Sequence, residues 1–197
     1  MNDNLPRTIT GDALNELPVR RYEGPIHFID TPALLHAARK DILAEAVVGF
    51  DTETRPAFRK GERYLPSLAQ VATAQAVHIF PLRHADTHGL LAEMLAAAGI
   101  VKAGVSLAYD LRTLKEVFPF HERQVIDLGL VAKRRGYGQT GVRNLAGLLL
   151  GFRVPKGAKT TNWSAPRLTP AQIAYAATDA WACRELYLKF GAEGLLD

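Results

Sequence analysis

Val47-Val48-Gly49-Phe50-Asp51-Thr52-Glu53 is the stretch that decides the fold. Apolar residues around a single glycine read as a strand buried on both faces. Two carboxylates, Asp51 and Glu53, stand at its end. Strand side chains alternate, so residues two apart point to the same face. Two like charges then meet at the lip of an apolar sheet. That is costly unless something positive lies between them. A divalent metal ion is the most economical candidate.

Outward from this strand, the chain reads as strands interleaved with helices. Ile26–Ile29 predicts a short strand. Thr31-Pro32 predicts a helix start, with proline at the first helical position and an apolar stripe of Leu35, Ala38 and Ile42. Arg55 to Pro66 is a polar loop. Leu68–Thr73 and Ala76–Phe80 predict two strands joined tightly at Ala74-Gln75. A helix through Leu90, Leu91, Met94, Leu95 and Ala98 should end at Gly99. The strand Ile100–Val105 follows. Leu107, Leu111, Leu114 and Phe118 then line a helix stopped by Pro119. Val125–Leu128 leads into a helix through Arg135, and Val142–Leu150 is a helix ending at Gly151. Phe152–Leu168 is a long connection without period, and such loops are functional or disordered. Thr169-Pro170-Ala171-Gln172 carries the spacing of a capping box, with Ile173, Ala177, Ala180, Trp181 and Tyr187 as the buried stripe behind it. The pattern predicts an α/β fold, a mixed β-sheet flanked by helices on both faces. Residues 1–23 read as an arm, loose or laid over a single domain of residues 24–197.

Composition narrows the class. The 197 residues are 48% hydrophobic and 22% charged, as in an ordinary globular protein. No apolar run approaches the roughly 20 residues of a membrane span. The first residues lack the basic start and apolar core of a secretory signal. One cysteine, Cys183, excludes an internal disulfide and fits a reducing cytoplasm, where it is expected to be a small core residue. The net charge is +4, unevenly spread. From Leu128 to Thr178 there is no Asp or Glu, but Lys133, Arg134, Arg135, Arg143, Arg153, Lys156, Lys159 and Arg167 all fall there. A one-sided basic region suits a polyanionic partner; a basic solvated surface is the plainer account.

Three carboxylate positions carry the chemistry. Asp51 with Glu53 is the first. Asp110, beside the stripe of its helix, is the second; alone it is an ordinary first-turn acid. Tyr175 and Asp179, four apart on the capped helix, project on one face among small neighbours, Ala174, Ala176 and Ala177. Phe50-Asp51-Thr52-Glu53-Thr54, Lys102-Ala103-Gly104-Val105 running to Asp110, and Tyr175-Ala176-Ala177-Thr178-Asp179-Ala180 together resemble the three motifs of the DEDD exonucleases. The tyrosine four residues before the last aspartate marks the DEDDy branch of this DnaQ-like superfamily. The resemblance runs from about Val47 to Phe190 and is closest to the RNase D and Werner-syndrome exonuclease type. Asn144-Leu145-Ala146 and Thr161-Asn162-Trp163-Ser164 strengthen it.

The resemblance implies a ribonuclease H-like fold, two divalent metal ions and stepwise removal of 3′-terminal nucleotides from nucleic acid. RNase D proteins carry additional C-terminal helical domains, and the Werner-type protein a helicase. Neither follows in these 197 residues, so a lone catalytic module that gains grip by self-association is the expectation. Two metals roughly 4 Å apart clamp the attacking and leaving oxygens of a phosphodiester and lower the pKa of the attacking water. Oxygen ligands suit Mg²⁺ or Mn²⁺, whereas the six histidines show no zinc spacing. Asp51 is assigned as the bridging ligand, with Glu53, Asp110 and Asp179 completing the shells; Tyr175 orients the water.

Lys156 and Lys159 are expected to touch substrate phosphates. Trp163 either stacks on a base or wedges its loop onto the core, and the wedge is favoured. Asp127 is expected to cap the helix that follows it. By the resemblance, Gln70 approaches the substrate terminus. Two other classes stay open: a nucleic-acid-binding module of the same fold without catalysis, and an interaction protein whose acids pair with the basic stretch.

Overall fold

The central strand of the sheet is β2 (Val47–Thr54) in a computed structural model that describes residues 6–157 and 160–196. Before it come α1 (Gly11–Glu16), β1 (Ile26–Phe28) and α2 (Pro32–Leu43). After it come β3 (Pro66–Ala72), β4 (Val77–Pro81), a 3-10 turn and α3 (His88–Ala96), β5 (Val101–Gly104) and α4 (Leu107–Leu114). The chain then forms β6 (Val125–Asp127), α5 (Leu128–Arg134), α6 (Val142–Leu150) and α7 (Pro170–Ala192). The sheet of the described residues runs β1-β4-β3-β2-β5-β6. β2, β3 and β4 form an antiparallel meander, while β1, β5 and β6 add in parallel at its two sides. The expected mixed sheet with helices on both faces is what the chain forms.

Alternation along β2 divides the core. Val48 and Phe50 face α2, α3 and α4, against Ile42, Leu91, Leu95 and Leu107. Val47 faces the other layer, where Leu128, Leu145, Leu186 and Phe190 of α5, α6 and α7 pack. Gly49 shares that second face. A Cβ there would lie 2.0 Å from the Ala180 carbonyl oxygen and 2.8 Å from the Arg184 nitrogen. The absence of a side chain therefore lets the backbone of α7 rest directly on β2. α7 is also held at its start by the predicted box: the Thr169 side chain accepts from the Gln172 amide, and the Gln172 side chain accepts from the Thr169 amide.

Three local expectations need correction. α4 leaves α geometry after Leu114 rather than running to Phe118, because the Lys115 amide is shared between the Leu111 and Thr113 carbonyls and the chain tightens into turns. α3 stops at Ala96, where Ala97 turns extended, before Gly99 is reached. The fully buried residues of α7 are Ala176, Ala177, Thr178, Ala180, Ala182, Cys183, Leu186 and Phe190, while Ile173, Trp181 and Tyr187 are half-buried. Small residues dominate because α7 is enclosed on several sides. The sheet lies beneath it, α6 beside it, and Tyr22 of the N-terminal arm donates its amide to the Thr178 hydroxyl at 3.0 Å. The described residues 6–23 lie over these helices, with Leu14 buried and a bridge from Val19 to Arg153.

Candidate active site

β2 outruns one of its neighbours. β5 pairs only with Val47–Gly49, whereas β3 follows β2 to Thr54. The last residues of β2 thus have one open edge, and a cavity of about 530 Å³ forms there at the carboxyl ends of the parallel strands. Asp51 and Glu53 lie on its floor, Asp110 reaches it from α4, and Tyr175 and Asp179 from α7.

The close contact at Gly49 sets the geometry. Ala180 touches the strand two residues before Asp51, and Asp179 precedes Ala180 in sequence. Oxygens of Asp51, Glu53 and Asp179 consequently lie within 4.8 Å of one another. Glu53 is only 8% exposed, so its charge has little water to support it. Oxygen donors alone, converging with Glu53 buried and Asp51 and Asp179 half-buried, are the donor set of a hard divalent cation, and the three residues fit one.

Tyr175 sits one turn before Asp179 and hydrogen-bonds to it. Burial, then the negative charges of Asp179, Glu53 and Asp51, push its pKa well above the ordinary phenol value. It keeps its proton and acts as a donor. Asp110 is placed differently. The Thr52 hydroxyl donates to its Oδ1 at 2.9 Å, and it stands outside the group of three. Burial raises its pKa, the Thr52 hydrogen bond offsets part of that, and the negative charge of Asp127 adds to the rise.

Asp127 does more than its expected capping. Its carboxylate accepts from the amides of Gly129 and Leu130 in α5, at 2.9 and 3.2 Å. It also accepts from Ser106 and Leu107 at the start of α4, at 3.1 and 3.0 Å. Ser106 has φ 63°, a left-handed turn that launches α4 immediately after β5. Asp127 therefore fixes the helix that carries Asp110.

The predicted substrate contacts divide. Lys156 is exposed on the cavity wall and also borders a second cavity of about 350 Å³ lined by Arg21, Thr169 and Tyr175. Lys159 lies outside the described residues. Trp163 wedges its loop onto the core, the favoured of its two expected roles: it is 1% exposed, packs with Leu68, Ala176 and Ala180, and its ring centroid is 6.0 Å from that of Tyr175. Its large apolar ring is worth more in that cluster than in solvent. Gln70, expected near the substrate terminus, instead lies fully buried on the face of β3 that α7 covers and does not line the cavity. Arg143 escaped the sequence reading. It lines the cavity from α6, and its Nη2 donates to Asn15 Oδ1 at 3.1 Å. It belongs to the acid-free basic stretch, but nothing local separates it from Arg153, which is spent on the Leu17 carbonyl.

A sequence profile of the 3′-5′ exonuclease domain matches residues 26–194. The chain belongs to this 3′-5′ exonuclease family. It is 30% identical over 178 residues to ribonuclease D of Haemophilus influenzae, covering 86% of this chain and 43% of that protein. It is 31% identical over 162 residues to a 3′-5′ exonuclease of Arabidopsis thaliana, covering 76% of this chain and 54% of that one. The chain thus spans about half the length of these two relatives. Among solved structures it is similar to the Nibbler EXO domain of Aedes aegypti, with a TM-score of 0.76 and 20% identity over 90% of this chain and 98% of that one. It is also similar to Escherichia coli RNase D, with a TM-score of 0.73 and 22% identity over 87% and 46%. These likenesses establish the ribonuclease H-like exonuclease fold, and the family agrees with the three motifs.

Proposed function

We propose that this chain is a metal-dependent 3′-5′ exonuclease that releases nucleoside monophosphates from the 3′ end of nucleic acid. The observation that carries the proposal is the convergence of Asp51, Glu53 and Asp179 within 4.8 Å in an open cavity. Asp51, Glu53 and Asp179 would hold one divalent ion, and Asp51 with Asp110 a second; Mg²⁺ or Mn²⁺ suits them. Two such ions would stabilise the attacking and leaving oxygens and lower the pKa of the attacking water.

The chain's own groups supply the remainder. Tyr175 keeps its proton and orients the attacking water through its hydroxyl. Glu53, little exposed, accepts a hydrogen bond from the same water. Arg143 and Lys156 offer positive charge on the cavity wall, where the strand's phosphates would lie. Trp163 keeps the Tyr175 ring from drifting by packing beside it. Residues 24–197 would act as the exonuclease domain with residues 1–23 as its arm, and self-association would extend its grip on the strand. The buried thiol of Cys183 suits the cytoplasm we assign it. Among the described residues no helix is long and apolar enough to cross a membrane.

The test is a panel of 5′-labelled single- and double-stranded DNA and RNA of graded length, with Mg²⁺, Mn²⁺ or EDTA. The expected result is a ladder shortening from the 3′ end with either ion and none with EDTA. Binding of the strand without ion-dependent shortening would overturn the proposal in favour of a silent binding module. No binding and no response of the melting temperature to Mg²⁺ would favour the interaction protein.

A further inference from the structure

Gln70 is completely buried, and among the described residues neither end of its amide has a hydrogen-bond partner. Burying an unmet donor and acceptor is costly, and native sheets seldom tolerate it without a use. Its place suggests the use. The antiparallel register sets Gln70 directly opposite Asp51. Opposed residues of antiparallel strands share a face, with Cβ atoms about 5 Å apart. On either side along β3, Leu68 and Ala72 pack against Ala176, Ala177 and Ala180 of α7. The Gln70 side chain is therefore enclosed under α7, on the same face of the sheet as the Asp51 carboxylate of the three-acid group.

We propose that Gln70 is a positioning residue for Asp51, its Nε2–H donating to the Asp51 carboxylate when a divalent ion is bound. This rests on the metal-site reading above. A carboxylate that serves two ions must present its oxygens in one rotation, and an amide behind it fixes that rotation without changing the charge of the site. A lysine here would neutralise Asp51 and compete with the cation. A glutamate would add repulsion. A leucine would leave the carboxylate free to turn. Groups behind metal ligands commonly govern affinity in this way.

The experiment compares wild type, Gln70→Met and Gln70→Leu as the full chain. It reads the melting temperature in EDTA, Mn²⁺ affinity by electron paramagnetic resonance, and kcat and KM on a labelled oligonucleotide. The account predicts an unchanged or higher melting temperature without metal, since an unmet amide is removed. It predicts Mn²⁺ affinity about 10-fold weaker and a lower kcat with KM nearly constant. Wild-type Mn²⁺ affinity and kcat in both variants would overturn the proposal. So would a collapse of the metal-free melting temperature in both, which would make the amide a structural group. Wild type that binds no Mn²⁺, or binds it equally well after Asp51→Asn, would instead bring down the underlying metal-site reading.

Discussion

The two helices that bring acids to the end of β2 do so in opposite states of readiness. On the α7 side, a backbone contact at Gly49 and a row of small residues bring Asp179 to Asp51 and Glu53 within 4.8 Å. On the α4 side, Asp110 lines the same cavity but accepts a hydrogen bond from Thr52 and stands apart from the other three. Close packing of backbone on backbone is rigid, so the fold itself preforms this group of three acids, the first of the two proposed cation sites. A side-chain hydrogen bond is exchanged at small cost, so the other acid can join when an ion supplies the attraction. Under the two-ion proposal, the difference predicts sequential filling: the α7-side ion first and tightly, the Asp110-side ion second and weakly.

The largest expected effect tests the α7 side. Asp51→Asn should lower turnover by about 10³-fold or more, since it removes charge from both proposed ions; steady-state rates on a labelled oligonucleotide check this. Gly49→Ala should destabilise the fold by about 3 kcal/mol, because α7 must lift from β2. Denaturant melts measure it, and near-wild-type stability would mean that the helix–strand contact is not the rigid element supposed here. Tyr175→Phe should slow turnover by about 10- to 100-fold, the loss of one hydrogen bond to a charged or reacting group, while Mn²⁺ affinity persists. Thr52→Val sharpens the α4 side. It should tighten the second Mn²⁺ by about 5-fold, since Asp110 no longer leaves a partner; weaker binding would make Thr52 a support for Asp110 rather than a competitor.

The smallest effect on the site, and an independent probe of the α4-side layer, concerns Lys102. It is buried on β5 and donates to the Ala97 and Ile100 carbonyls, at 2.8 Å each. Burial lowers its pKa from 10.5 to about 8. Between those values the unfolded chain holds the proton that the folded chain has released, so stability should rise with pH across about 8 to 10.5. Lys102→Met should flatten that rise in melts recorded across the window.

What the sequence made legible was local. The strand ending in Asp51 and Glu53, the one-turn spacing of Tyr175 and Asp179, and the capping box at Thr169 all depend on periodicities a few residues long. What it hid depends on contacts between distant segments. Thr52 meets Asp110 across 58 positions, Asp127 reaches back 20 to Leu107, and Asn15 holds Arg143 across 128. Trp163 had two readings, with the core wedge favoured, and Gln70 was placed near the substrate terminus by resemblance alone. Only the packing of α7 over β3 shows that both are inside.

The central claim is that the carboxylates of β2 and α7 hold a divalent ion before the acid of α4 takes part. Mn²⁺ titration of the wild type, Asp179→Asn and Asp110→Asn by electron paramagnetic resonance tests it most directly. The account predicts a tight and a weak ion in the wild type, loss of the tight one in Asp179→Asn, and loss of only the weak one in Asp110→Asn. A tight ion that survives in Asp179→Asn would contradict it.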